Sequence, residues 1–423
     1  MLNLILALND KDKNKRINAL KEIIEKEEVK PIRRENDANN HIHTIYSFSP
    51  YSPTKAAYMA YLAGLTSAGI MDHDSLSGVE EFKSACAILG LGATSGVEAR
   101  VKFDKGFGKI NHPDQENCFY MAAHGIPAQN VKAFDQYLDG YRQKRFERND
   151  KMCKLITEKF KKFGIELDFE KDVVPVSVAK EGGTITERHL LYTLAIKLEN
   201  RFGRGEALID FLLNKLNLEV SEKVKGFLSD ANNEHFLYDL LGVLKADTKF
   251  FYIDADEEMP TAEEFVKTAL SFGAIPAYAY LGDVGNSVTG DKKACKFEDD
   301  FLPELLDEIK KLGIKAVAYM PTRNTPEQLE RISKLCKDKG FFEISGEDIN
   351  SSRQQFQCKA LSKPEFAHLI QATWALIGHE AIASTKGAEY GMFGEETVKQ
   401  IPDLYERIEK FAVYGRQTVE NNV

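Results

Sequence analysis

The sequence predicts an α/β barrel, and three observations predict it. Short apolar segments suited to β-strands alternate with helical stretches. Polar residues able to hold a metal gather where those strands end. The chain has 423 residues, enough for one large domain with an accessory domain. Alternating strands and helices imply parallel βαβ units, and α/β barrels place their chemistry at the C-terminal ends of the strands. Hydrophobic residues at 43% and charged residues at 29% describe a globular chain with an ample core. The net charge of -9 argues against a general nucleic-acid surface while leaving room for a small basic pocket. Six cysteines form no CxxC pair and no disulfide-like framework, which points to cytosolic thiols. The apolar run from Met1 to Leu8 is short and has no basic leader, and no stretch is long enough to span a bilayer. The expected setting is therefore cytoplasmic, with no membrane partner.

Taken in order, residues 15–29 are charged and helix-friendly, with Ile17, Leu20, Ile23 and Ile24 as one apolar stripe that Pro31 ends. They read as an N-terminal helical extension (residues 1–35) outside the domain that begins near Asn36. Up to about residue 130 the pattern predicts helices over 53–63 and 78–89, and strands over 68–71, 93–101 and 118–123. Residues 131–248 change character. Helical patterns over 132–163, 187–197, 205–216 and 235–244, with few strands, predict an inserted helical domain. From 249 to 358 the alternation resumes, with strands over 251–253, 275–279, 316–320 and 341–344 and helices over 303–312 and 326–337. Residues 359–423, containing the lone Trp374, form a helical tail.

The most informative stretch is Asn40-His41-Ile42-His43-Thr44. Side chains of a strand alternate faces, so His41 and His43 project together and can grip one ion. Imidazole is among the commonest ligands for zinc, iron and related metals. Met71-Asp72-His73-Asp74, Gly96-Val97-Glu98, His124 and Ser345-Gly346-Glu347-Asp348 follow, each where a strand runs out. Imidazoles and carboxylates so placed form a metal-site pattern.

These motifs in this order resemble the polymerase and histidinol phosphatase (PHP) family, over about residues 38–356. The resemblance implies a distorted seven-stranded α/β barrel with a two- or three-metal centre. The nearest likeness is to nucleotide-type phosphoesterases with a helical domain inserted in the barrel. The His-x-His strand with its Thr/Ser-rich loop is matched by His41-Ile42-His43-Thr44 and by Ser47 to Pro53. Met71-Asp72-His73-Asp74 with Gly78 matches the Thr-Asp-His-Asp motif, and Glu98 the bridging glutamate. Arg188-His189 matches in part the Arg-x-His helix start of the insertion, and Gly346-Glu347-Asp348 the closing Gly-Ser-Asp. Ala279-Tyr280-Leu281 stands where the family has Ala-His-Pro, and Asn350 where it has a final histidine. His124 ends its strand rather than opening it.

The resemblance implies metal ligands His41, His43, His73, Glu98, His124 and Asp348 for one to three divalent ions (Mn, Fe or Zn). Asp72 or His73 is expected to act in general acid–base catalysis. Tyr280 and Asp283 are candidate oxygen ligands in place of the missing imidazole. Arg100, Arg188, His189 and Arg323 are expected to bind the phosphate, since guanidinium matches phosphate oxygens bidentately. Arg100 lies two residues beyond Glu98 and should share its face. The competing reading of each arginine is a surface ion pair. The expected activity is hydrolysis of a small phosphorylated metabolite, nucleotide or oligonucleotide end by metal-activated hydroxide. The competing readings are a degenerate barrel that binds a phosphorylated ligand or partner without catalysis, and a hydrolase of another bond, such as an amide.

Overall fold

Seven strands, in chain order, form one sheet that rolls into a nearly closed barrel in a computed structural model describing residues 1–26, 30–285 and 295–421. They are β1 (Arg34–Ile42), β2 (Leu65–His73), β3 (Gly92–Lys102), β4 (Cys118–His124), β5 (Ile275–Ala279), β6 (Ala316–Tyr319) and β7 (Phe342–Ser345). The ring is completed where β1 meets the segment after β7. The His43 N–H donates to the Ile349 carbonyl at 3.0 Å, and the Ile349 N–H to the His41 carbonyl at 3.1 Å. The barrel thus closes on the two-histidine segment itself.

The pairs β1/β2, β2/β3, β5/β6 and β6/β7 are parallel, as the alternation implies. Strand β4 departs from this, running antiparallel to both β3 and β5. Its reversal follows from the connection before it. Residues 103–117 contain no helix, so the chain returns along β3 as a hairpin instead of crossing over. The mouth of the barrel is therefore built from the C-terminal ends of six strands and the N-terminal end of β4.

Helices α1 (Leu2–Ala7) and α2 (Lys13–Glu25) lead into the barrel, and α3 (Pro53–Leu62) and α4 (Val79–Leu89) cover its first strands. The insertion follows β4. Its helices are α5 (Val131–Phe160), α6 (Glu187–Phe202), α7 (Glu206–Asp210), α8 (Glu222–Ser229) and α9 (Phe236–Leu244). Helix α10 (Ala262–Ser271), which the sequence pattern did not reveal, returns to β5, and α11 (Leu302–Lys311) and α12 (Pro326–Lys339) flank the last strands. The tail carries α13 (Ala367–Lys386), α14 (Glu395–Gln400) and α15 (Leu404–Glu420). Residues 251–253 are irregular rather than a strand; Phe251 is buried among the insertion helices. Among the described residues no helix is long and apolar enough to cross a membrane.

Among the described residues two large hydrophobic cores result, beside a small cluster of Cys118, Ala255 and Met259. One fills the barrel and extends to both chain ends, and the other lies within the insertion. Helix α5 belongs to both: Phe134 and Leu138 pack on the barrel, while Met152, Ile156 and Phe160 pack in the insertion. At the foot of this helix, Asn130 donates to the Phe272 carbonyl beside the start of β5. Three turns on, Arg142 donates to the Asp74 carbonyl at the mouth, at 2.7 Å. Below the barrel, α13 contacts β1, β3 and β7. Helices α13 and α15 cross at Gly378 and Gly415, where a Cβ would meet a backbone oxygen of the opposite helix at 2.0 Å.

The N-terminal helices are not outside this core. Leu8, Leu20 and Ile23 are buried in the barrel cluster; residues 27–29 of the expected helical stretch lie outside the described residues. Arg16, 2% exposed, forms a bidentate pair with Glu81 of α4, which also accepts from the Thr54 hydroxyl at 2.6 Å. Removing one partner of a buried ion pair costs about 3–5 kcal/mol, because the other charge stays buried alone. Glu81→Ala should lower the urea unfolding free energy by that amount, and pairing it with Arg16→Met should recover most of the loss.

Candidate metal centre

Strand geometry gathers the donors. His41 and His43 leave the end of β1, and His73, the last residue of β2, is the parallel register partner of Glu98 on β3. Asp348 arrives from the segment that closes the ring. That approach is tight: a Cβ on Gly346 would meet His41 Cβ at 2.7 Å, so only glycine fits there. Nε2 of His41 and Nε2 of His43 lie 3.2 Å apart, and His43 Nε2 is 3.2 Å from Asp348 Oδ1. Glu98 Oε2 is 3.0 Å from His73 Nδ1, 3.9 Å from His41 Nε2 and 4.0 Å from His43 Nε2.

These separations suit ligands of a common ion. With metal–nitrogen bonds of about 2.1 Å, tetrahedral ligand atoms sit about 3.4 Å from one another. His73 Nδ1 is buried and close to Glu98, yet lacks hydrogen-bond alignment with it, as expected of two donors aimed at a third atom. Two groups have all their donor atoms within 4.8 Å: His41, His43 and Asp348, and His43, His73 and Glu98. Each group could hold an ion, and His43, whose Nε2 lone pair serves one ion, is common to both.

Burial lowers the pKa of His41 despite the Glu98 charge. Burial also depresses His73 far below the usual histidine range, with His43, Arg145 and Arg188 adding to the effect. Asp348 and His43 work the other way on each other. Against the cost of burial, their contact raises His43 and holds Asp348 well below the carboxylate range. Asn350, where the resemblance expects histidine, donates from Nδ2 to Asp348 Oδ1 and so orients that carboxylate.

Several expected residues take other positions. His124 pairs with Gly96 and Ile275, two residues down the barrel from Glu98, because β4 is reversed. Its Nε2 is buried with no hydrogen-bond partner, and it joins neither donor group. Asp72 points away from His73 and accepts three hydrogen bonds, from the Thr44 N–H and the hydroxyls of Thr44 and Ser47, so it is no free acid–base group. The Tyr280 hydroxyl donates to Asp299 at 2.7 Å, burial drives its pKa up, and the hydroxyl is turned to that carboxylate rather than to the donor groups. Asp283 accepts from the Phe297 N–H at 2.6 Å and supports the loop after β5. His189 accepts the Thr186 N–H at Nδ1 (3.0 Å), capping its own helix, and its ring meets Phe48 edge-on at 5.0 Å. Arg323 donates to the Leu281 carbonyl at 3.2 Å, with Asp348 in its electrostatic neighbourhood.

Arg100 does share the face of Glu98, but its charge is matched. It pairs with Glu258 and, at 3.3 Å, with Glu187. Arg148 joins the same two carboxylates, at 2.6 Å from Glu258, and Arg145 pairs with Asp74 and lies 3.4 Å from Glu258. Three guanidinium groups and three carboxylates thus form one buried, neutral set linking β2, β3, α5 and the first residue of α6. The arginines of α5 recur every third residue (142, 145, 148), a signal hidden in a helix that reads simply as charged. Asp74 holds its place at φ 50°, a left-handed backbone that Asp tolerates better than most residues. Arg188, next to Glu187, is different: its Nη1 is buried without a hydrogen-bond partner among the described residues, and its charge reaches His73 and Asp348. Also unforeseen is His112, whose ring stacks on Tyr120 at 5.1 Å, while Tyr120 in turn lies 5.7 Å from His73.

With the geometry in view, the comparisons can be placed. No family model matches the chain, and no curated protein matches it. A Bifidobacterium adolescentis protein described as a metal-dependent phosphoesterase shares the fold, with a TM-score of 0.52 and 18% identity over 82% of this chain and 98% of that one. An amidohydrolase from Chromobacterium violaceum, solved with sulfate and no metal, aligns with a TM-score of 0.50 and 15% identity over 79% of this chain and 96% of its own. Both likenesses are of fold.

Two outcomes test this description. Glu258 accepts from two buried arginines, Arg100 and Arg148, and lies 3.4 Å from a third, Arg145, so Glu258→Ala should lower the unfolding free energy by about 3–5 kcal/mol in a urea titration. Burial holds His124 down to about 3. Above the ordinary histidine value neither state is protonated; below it the unfolded chain takes a proton that the folded chain refuses, so stability falls as pH drops from about 6.5 toward 3. His124→Gln should flatten the slope of unfolding free energy against pH in that window by about one proton, ~1.4 kcal/mol per pH unit.

Proposed function

We propose that this chain is a metal-dependent hydrolase of phosphoesters, of the PHP type its motifs resemble. The observation that carries the reading is the buried guanidinium of Arg188, whose Nη1 has no hydrogen-bond partner among the described residues, beside three imidazoles and two carboxylates that converge at one barrel mouth. His41, His43, Asp348 and Glu98 would hold a first divalent ion (Mn, Fe or Zn), and His73 with Glu98 would contribute to a second. A bound divalent ion supplies Lewis acidity and a water acidic enough to ionise near neutral pH. The residues do the rest. The neutral imidazoles present lone pairs rather than protons, which burial favours at His41 and His73. Arg188 offers a phosphate a charge-assisted donor pair, and Arg323 stands on the side of Asp348.

A phosphoester accounts for Arg188 better than an amide does, because a neutral amide leaves that guanidinium without a counter-charge. The substrate is a small phosphorylated metabolite, a nucleotide or an oligonucleotide end, in a cytoplasmic setting compatible with six unpaired cysteines.

Elemental analysis of protein purified without chelators, followed by parallel phosphoester and amide panels, tests the reading. At least one equivalent of metal and turnover of phosphoesters alone are expected. Metal-free protein that cannot be refilled, or amide turnover alone, overturns it. His41→Ala with His43→Ala should abolish both metal and turnover. Arg188→Ala should lower kcat/KM about 10–100-fold, the worth of a hydrogen bond to a charged group, with the metal content unchanged.

A further inference from the structure

His43 belongs to both donor groups, so its ring has to present a bare lone pair at Nε2. A neutral imidazole carries one proton, and the partner of one nitrogen decides where it sits. Here Nδ1 faces the Ser47 hydroxyl at 3.1 Å. That hydroxyl is also 2.6 Å from Asp72 Oδ1. The same carboxylate accepts the Thr44 N–H at 2.7 Å and the Thr44 hydroxyl at 2.6 Å. A carboxylate only accepts, so the single Ser47 proton goes to Asp72, and toward His43 the hydroxyl can only accept as well. On that side Nδ1 is the donor. Nε2 faces His41 Nε2 and Asp348 Oδ1, which accepts a second ring proton while no ion is bound; once an ion takes Nε2, the one remaining proton sits on Nδ1, where Ser47 accepts it. Ser47 is fully buried and Asp72 1% exposed, so solvent does not compete for these bonds.

We propose that Asp72 and Ser47 are positioning residues that lock His43 in its Nδ1–H tautomer and thereby set the metal affinity of the centre. The proposal rests on the metal-centre reading above. It gives Asp72 a task unlike acid–base catalysis: the carboxylate reaches the ligand through one hydroxyl and touches no reacting atom. It also explains why the Thr44–Ser47 turn, closed by the Ser47 N–H on the Thr44 carbonyl at 3.1 Å, follows the second histidine directly. Both ends of the turn hang on one carboxylate of β2.

Two measurements test it, on the full chain. The first is nitrogen-15 NMR of histidine-labelled, Zn(II)-loaded protein, which reads the His43 tautomer without any substitution; a proton on Nδ1 with Nε2 toward the ion is expected, and a proton on Nε2 overturns the proposal. The second is competition of the protein with a chromophoric chelator for Zn(II). Ser47→Ala should weaken binding about 10–100-fold, the usual effect of losing such an outer partner. Ser47→Thr, which keeps the hydroxyl, should restore most of it, with folding of each variant checked by circular dichroism. Wild-type affinity in a folded Ser47→Ala overturns the relay. Wild-type protein that takes up no Zn(II) overturns the metal-centre reading, and with it any role for the relay in metal affinity.

Discussion

Charge taken out of water has to be matched by charge or by hydrogen bonds at contact distance, and this constraint organises the molecule. Its clearest expression is the set of Arg100, Arg145 and Arg148 with Asp74, Glu187 and Glu258. Each group would be costly to bury alone, and together they are neutral. Because the members come from β2, β3, α5, α6 and the strand-less stretch before α10, the set welds the insertion to the barrel at one orientation. Glu187 is held from two sides. The adjacent Arg188 is presented to the mouth by a helix start held through its neighbour's ion pairs, and its charge acts on His73 and Asp348.

The mouth follows the same logic with a different outcome. Three imidazoles and two carboxylates are brought within contact distance, and the protein supplies outer partners for several of them: Ser47 for His43, Asn350 for Asp348. Where the family resemblance expects two further histidines, the substitutes are hydrogen-bonding groups. Asn350 turns toward a carboxylate of the centre, while Tyr280 turns away toward Asp299. The number of donors falls, yet the orientation of those that remain is retained.

The parts of this that the sequence made legible are those set by local periodicity. Apolar runs marked six of the seven strands, with a false one at residues 251–253, and the His-x-His spacing marked β1 and put His41 and His43 on one face. The reversal of β4 was not legible, since a strand reads the same in either direction and only the helix-free connection before it hinted at a hairpin. That single reversal moved His124 from the mouth to the layer below. The partners of Arg100 were hidden for a different reason. Glu258 and Glu187 lie 158 and 87 residues away, and nothing local marks a carboxylate as someone else's counter-ion. Asp72 was misjudged because a carboxylate beside a histidine suits catalysis and support equally well, and only the three donors around it decide.

The reversed strand has one more consequence. It delivers the chain to the floor of the barrel, whereas the inserted helices stand over the mouth. Helix α5 bridges that gap as a straight rod, anchored below by Asn130 and above by Arg142 and Arg145. A rod of this kind has a phase as well as a length. Each residue turns it by about 100°, so a change of one residue between the anchors would swing the arginines off their carboxylates, while seven would nearly restore the angle and raise the insertion by about 10 Å. The helix is thus a gauge for the height and azimuth of everything it carries.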